Sequence, residues 1–216
     1  MFIFTQPATP YMMTSRLERR LSHIPPYSEE LGLDLRNPDH RFRWFLASML
    51  FAKRISCEIA KRTYREFERE GLTTPEAIVR AGWDELVRVL DSGGYVRYDF
   101  STASTLLETM SRLTELGGLE SIHERAKDPR DLERSLMELK GIGPTAVSIF
   151  LRELRGIWRK ADPSPSPPAV RVAGRLGLRD ARRFESALVR IHLEFCKRRA
   201  CGRCPVSEWC GSRGQP

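Results

Sequence analysis

An all-α fold is predicted by three features of the sequence. Apolar residues recur at helical spacing through most of the chain, capping residues, glycines and prolines punctuate it at helix-length intervals, and no run alternates convincingly with period two. The stretch "HRFRWFLASMLFAKRISCEIAKRTYREFERE" carries apolar side chains at 42, 45, 46, 49, 50, 55 and 59, and Gly71 stops it. In "TPEAIVRAGWDELVRVLDSGG", Thr74 is the expected N-cap and Pro75 the first helical residue, followed by two short helices that end at Gly93 and Gly94. "STASTLLETMSRLTELGG" and "DPRDLERSLMEL" continue the series, the first closed by glycine and the second opened by an Asp cap.

Within "LMELKGIGPTAVSIFLREL" the helical pattern breaks at Lys140, Gly141, Ile142, Gly143 and Pro144 and then resumes. Glycines at 141 and 143 can take a positive φ, and Pro144 suits a first turn, so the segment reads as helix, tight hairpin, helix. A second helix that starts this way exposes backbone N–H groups that can hold a phosphate oxygen.

Two stretches interrupt the helical order. Asn37-Pro38-Asp39 separates an N-terminal arm from the body, and "ADPSPSPPAV", with prolines at 163, 165, 167 and 168, favours an extended crossing. One amphipathic helix, "ARRFESALVRIHLEF", is expected after it. The resulting organisation is a helical body over 39–154 and a discontinuous second domain made from 1–38 and 155–216.

The chain holds 216 residues, with 36 Lys+Arg against 28 Asp+Glu and a formal charge of +8, a balance that favours an anionic partner such as nucleic acid. No apolar run approaches the ~18 residues that would span a bilayer, and the start "MFIFTQPATPYMMTSR" lacks the basic n-region and cleavage site of a signal peptide, so a cytoplasmic protein with no membrane partner is expected.

Four of the five cysteines lie together in "CKRRACGRCPVSEWC", as Cys196, Cys201, Cys204 and Cys210. Disulfides are unusual in a reducing cytosol, so the spacing C-x4-C-x2-C-x5-C suggests metal ligation. Tetrahedral zinc is one occupant that four thiolates satisfy; the compact wrap around a single C-x2-C suits a 4Fe-4S cluster better. The remaining cysteine, Cys57, is expected to be buried in a helix, and His23, His40, His123 and His192 show no metal spacing.

The hairpin of form L-x-G-[IV]-G, an Asp beyond its second helix and the four-cysteine loop together resemble the endonuclease III branch of the helix-hairpin-helix DNA glycosylases, over Arg41 to Cys210. The resemblance implies a six-helix barrel plus an iron-sulfur cluster domain, a monomer, and excision of a damaged or mispaired base flipped out of double-stranded DNA. It implies a carboxylate beneath the sugar, where charge develops as the N-glycosidic bond breaks; Asp162 is the candidate, whereas alignment backward from "VRVAGR" puts Ser166 in that place. Bifunctional members carry a lysine two residues after the last hairpin glycine, but Thr145 stands there, which implies hydrolysis without lyase activity or a relative that binds DNA without catalysis.

By the same resemblance Lys140, Gly141, Ile142, Gly143 and Thr145 contact the DNA backbone, and the turn with Lys53 and Arg54 fills the vacated stack. Tyr95, after two glycines, is a candidate wedge or else an aromatic that closes the barrel. Asn37 is the only asparagine, and Gln6 and Gln215 are the only glutamines, so the flipped base would be read by backbone, hydroxyls, charges or aromatics. An iron-sulfur electron-transfer protein is the reading from a different class.

Overall fold

A computed structural model describes residues 10–211, with side chains from Arg16 onward. The described residues are multi-helical and contain no β-strand. Eleven α-helices follow one another among them: α1 (Pro10–Ser22), α2 (Tyr27–Glu30), α3 (Pro38–Phe51), α4 (Cys57–Arg69), α5 (Pro75–Ser92), α6 (Asp99–Glu115), α7 (Gly118–Arg125), α8 (Pro129–Met137), α9 (Pro144–Arg152), α10 (Pro167–Arg175) and α11 (Glu185–Ile191). None is long and apolar enough to cross a membrane.

The chain divides into two compact units, one spanning Ser28–Pro163 and the other formed by the chain up to Tyr27 and from Ser164 on. The sequence had suggested bounds at 39 and 154. The larger unit reaches further at both ends, because Leu31, Leu33, Leu35, Trp158 and Ala161 are also buried.

Local caps set the helix starts in the larger unit. Asn37, Ser56, Thr74 and Asp128 each accept a bond from a first-turn amide, and α3, α5, α8 and α9 all open with proline. The long stretch expected to run on to Gly71 breaks at 52–56, where Ser56 caps the new helix α4. Helix α5 is kinked at Gly82, whose φ of 75° only glycine adopts without strain.

Helix α3 runs through the middle of this unit, with Trp44, Phe45, Leu46 and Leu50 buried. Its Phe45 ring meets Phe150 of α9 edge-on at 5.2 Å, and the Trp44 indole N–H donates to the Phe150 carbonyl at 3.3 Å. A helix buried on most faces must satisfy any charge it carries. Arg41 does so by donating to Glu120 at 2.6 Å and to the carbonyls of Leu35 and Arg36.

In the chain-end unit Leu17 and Leu21 of α1 join Ala169, Val172 and Ala173 of α10 and Leu188 and Ile191 of α11 in one apolar cluster. Two expectations change here. Pro167 and Pro168 do not extend the chain: they open α10, in the first-turn positions where a missing N–H costs nothing. The helix expected over "ARRFESALVRIHLEF" is three pieces, a 3-10 turn at Arg182–Phe184, α11, and a π-turn at His192–Cys196.

Candidate nucleic-acid interface

The hairpin between α8 and α9 is built by local backbone chemistry. Gly141 has φ +70°, and a Cβ there would lie under 3.0 Å from Thr105 Cγ2, so α6 presses directly on the turn. Thr109, also on α6, donates to the Lys140 carbonyl at 2.6 Å. Leu139 and Ile142 are buried and fix the turn from below.

Gly143 is the N-cap of α9, with φ −103° and no side chain to cap the helix. The amides of Gly141, Gly143, Thr145 and Ala146 have no acceptor among the described residues, and nothing lies within 4 Å of where a Gly143 Cβ would be. Unpaired donors at and just before the start of a helix are available to an anion. The Lys140 ammonium is at the surface, 3.6 Å from Glu108 on α6.

Two further loops adjoin α6 and α3. The turn 52–56 places Lys53 half-buried and Arg54 exposed, with the Ile55 amide donating to the Lys53 carbonyl at 2.9 Å. The loop 93–98 precedes α6, and Arg62 of α4 donates to the Gly93 carbonyl at 2.7 Å. Tyr95 is not a surface wedge. Its ring is fully buried and its hydroxyl donates to the Leu50 carbonyl at 2.8 Å, so it closes the helical core and ties this loop to the end of α3. Burial of the phenol raises its pKa far above the ordinary tyrosine value. The loop presents Val96, 64% exposed, and Arg97, which sequence reasoning passed over in favour of the aromatic beside them.

Asp162 lies at the end of the segment after α9. That segment is held by Trp158, which is buried, meets Phe150 edge-on at 5.5 Å and stacks on His123 of α7 with centroids 4.5 Å apart. Burial, with the Lys160 charge adding to it, lowers the His123 pKa. Lys160 in turn donates to the carbonyls of His123 and Glu124, at 2.8 and 2.9 Å. The Asp162 side chain is 44% exposed, and its carboxylate faces the Arg155 guanidinium at 3.5 Å.

A second carboxylate, Glu133 on α8, had no signal in the sequence. Burial pushes its carboxyl above the ordinary range; Arg130 opposes this and the Asp162 carboxylate adds to it. Two interacting carboxyl groups are the usual equipment of acid–base chemistry at a sugar. Ser166 belongs to the other unit, where it stands at the N-cap position of α10 without a side-chain capping bond and donates its amide to the buried Glu185 carboxylate at 2.8 Å.

The cysteine segment does not bear out a 4Fe-4S cluster. Among the described residues no group of three or more His, Cys, Asp or Glu side chains is arranged to hold a metal ion, and Cys196, Cys201, Cys204 and Cys210 are free thiols. Cys196, Cys204 and Cys210 pack instead against the apolar cluster of the chain-end unit, acting as small hydrophobes. Burial pushes the Cys196 and Cys204 thiols up. Cys57 is half-buried at the first position of α4. Gln6 and Gln215 lie outside the described residues.

No protein-family model matches this sequence, and no curated protein matches it. The reading of function therefore rests on this geometry and on the residue pattern.

Proposed function

We propose that the protein binds double-stranded DNA through its helix-hairpin-helix and hydrolyses the N-glycosidic bond of a damaged or mispaired base, in the manner of the helix-hairpin-helix glycosylases it resembles. The observation that carries this reading is the set of unpaired amides at the start of α9, on a turn that Gly141 allows to seat against α6. A phosphate there would receive several N–H bonds without any sequence-reading contact. The formal charge of +8 favours the same partner.

For the chemistry, Asp162 is the carboxylate that stabilises the developing sugar cation, with Glu133 the group that exchanges a proton with water or the departing base. Thr145 supplies a hydroxyl where an amine would be needed for a Schiff base, so hydrolysis ends at the abasic site. The ion pair of Asp162 with Arg155 favours a second reading, a relative that binds DNA without excision, because a paired carboxylate has less charge to offer a cation. The electron-transfer reading required the cluster and falls with it.

The deciding experiment is Gly143→Asp. Asp is a better N-cap than Gly, by a few tenths of a kcal/mol. It has space here, so the helix should hold or gain stability while the new carboxylate occupies and repels the phosphate. Affinity for duplexes of unrelated sequence should fall alike, about tenfold or more, with no loss in Tm. Unchanged affinity in this folded variant would reduce the hairpin to a structural turn and remove the DNA-binding reading.

A further inference from the structure

The chain-end unit carries a cavity of about 410 Å³ between α1 and the segment Pro205–Trp209. Arg16, Arg19, Arg20 and His23 line one side and Glu208 and Trp209 the other. Arg16, Arg19 and Arg20 recur at a spacing of three or four along α1 and crowd three guanidiniums onto one face, with Arg19 and Arg20 in the last turn, where the helix dipole favours them.

Little within the unit offsets that charge. Glu18, on the same helix, pairs elsewhere with Arg183 at 3.1 Å. Arg20 donates to the Pro205 carbonyl at 3.3 Å, a neutral partner that fixes the cavity wall without cancelling the charge. Among the described residues Arg16 and Arg19 make no ion pair. The His23 Nδ1 lies 2.6 Å from the Arg19 carbonyl, which can only accept, so Nδ1 carries the proton and the opposite nitrogen is left for a ligand.

The neighbouring smaller cavity, about 220 Å³, differs in this respect. There Arg190 bonds Glu194 at 3.0 Å and the Pro25 carbonyl at 2.8 Å, and covers the Tyr27 ring.

We propose that the larger cavity binds a nucleoside phosphate. The Arg16 and Arg19 guanidiniums match the phosphate oxygens, the Trp209 indole offers a face for the base, and the Glu208 carboxylate accepts from a sugar hydroxyl or an exocyclic amine. The same chemistry is presented by a free nucleotide and by a nucleotide unit of a single strand. This site is independent of the hairpin, in a different compact unit.

Binding of AMP, of a ten-residue oligodeoxyadenylate and of inorganic phosphate to the full chain, followed by calorimetry, tests it. AMP or the oligonucleotide should bind, phosphate alone at least tenfold more weakly, and Arg16→Ala/Arg19→Ala should lose tenfold or more. Binding of the oligonucleotide without AMP would assign the strand as source, and tight AMP binding the free nucleotide. The proposal is overturned if neither AMP nor the oligonucleotide binds, if the double variant binds as well as the wild type, or if phosphate alone binds as tightly as the nucleotide. Both arginines are surface residues on a helix, so the double variant should fold; an unchanged Tm verifies it.

Discussion

Gly141→Ala should be among the most damaging methyl additions in the larger unit, and its cost separates into two measurable parts. At φ +70° a Cβ is strained against the following carbonyl, which costs about 1–2 kcal/mol. The same Cβ would lie under 3.0 Å from Thr105 Cγ2, and relief of that overlap costs about 1–3 kcal/mol. Thr105 cannot simply rotate away, since its hydroxyl donates to the Ser101 carbonyl at 2.7 Å. The expected loss is about 3 kcal/mol, or about 6–12 °C in Tm for a chain of this size.

Denaturant unfolding of four proteins, the wild type, each single variant and Gly141→Ala/Thr105→Ala, resolves the parts. Thr105→Ala removes Cγ2 and leaves Cβ at an ordinary 3.5 Å, so in that background Gly141→Ala should cost only the strain, about 1–2 kcal/mol. Gly143→Ala, with φ −103° and no neighbour within 4 Å, is the control and should lose no more than about 1 kcal/mol, the cost of alanine at an N-cap. Equal cost of Gly141→Ala in both backgrounds refutes the close approach of α6, and a cost no larger than the control refutes the positive φ as well.

The remaining predictions concern charge and chemistry. The raised Glu133 pKa means that the folded protein binds more protons than the unfolded chain between the ordinary Glu value and the raised one, so the stability due to this group is present below that window and lost as pH rises through it. Glu133→Gln should therefore raise Tm at pH 7 and change it little at pH 3.5; an equal fall at both would contradict the burial argument. Borohydride should trap no protein–DNA adduct on duplexes carrying uracil, oxidised pyrimidines or mismatches, because Lys140 is turned toward Glu108 and Thr145 has no amine; an adduct lost in Lys140→Ala would overturn hydrolysis as the mechanism. Asp162→Asn should lower base release by roughly 10² or more while duplex affinity holds or improves, with Ser166→Ala as the control that leaves release intact.

The helix starts were legible because these signals act within one turn: Thr74 and Asp128 accept from amides three residues on, and Pro144 presets its own φ at the first helical position. The hairpin was legible for the same reason. What the pattern could not carry was side-chain direction across elements. Tyr95 follows two glycines, which announces a loop, yet the ring turns inward because Leu50 offers its carbonyl and the core has room for it. Helix α7 is a separate helix because Gly117 and Gly118 both take positive φ, and a Gly-Gly pair marks a stop without saying whether a new helix follows. Cysteine spacing fixes how close four thiols can come along the chain, while the apolar cluster decides which way they face.

The choice between Asp162 and Ser166 is one that alignment leaves open. Counting residues through a proline-rich loop gives either position, since a few inserted residues shift the register. Ser166 donates its amide to Glu185 and α10 begins at the next residue, while its hydroxyl is buried with no hydrogen-bond partner among the described residues. It also has no charge to lend. Asp162 lies in the same compact unit as the hairpin, keeps its carboxylate partly open to solvent, and interacts with both Arg155 and Glu133. A cation forming nearby would compete with Arg155 for that carboxylate, and Glu133, held toward its protonated form, could give up or recover a proton as the charge moved. The segment that places Asp162 is fixed by Trp158 and Lys160 against α7, so the carboxylate is carried on the body that would bind the phosphate.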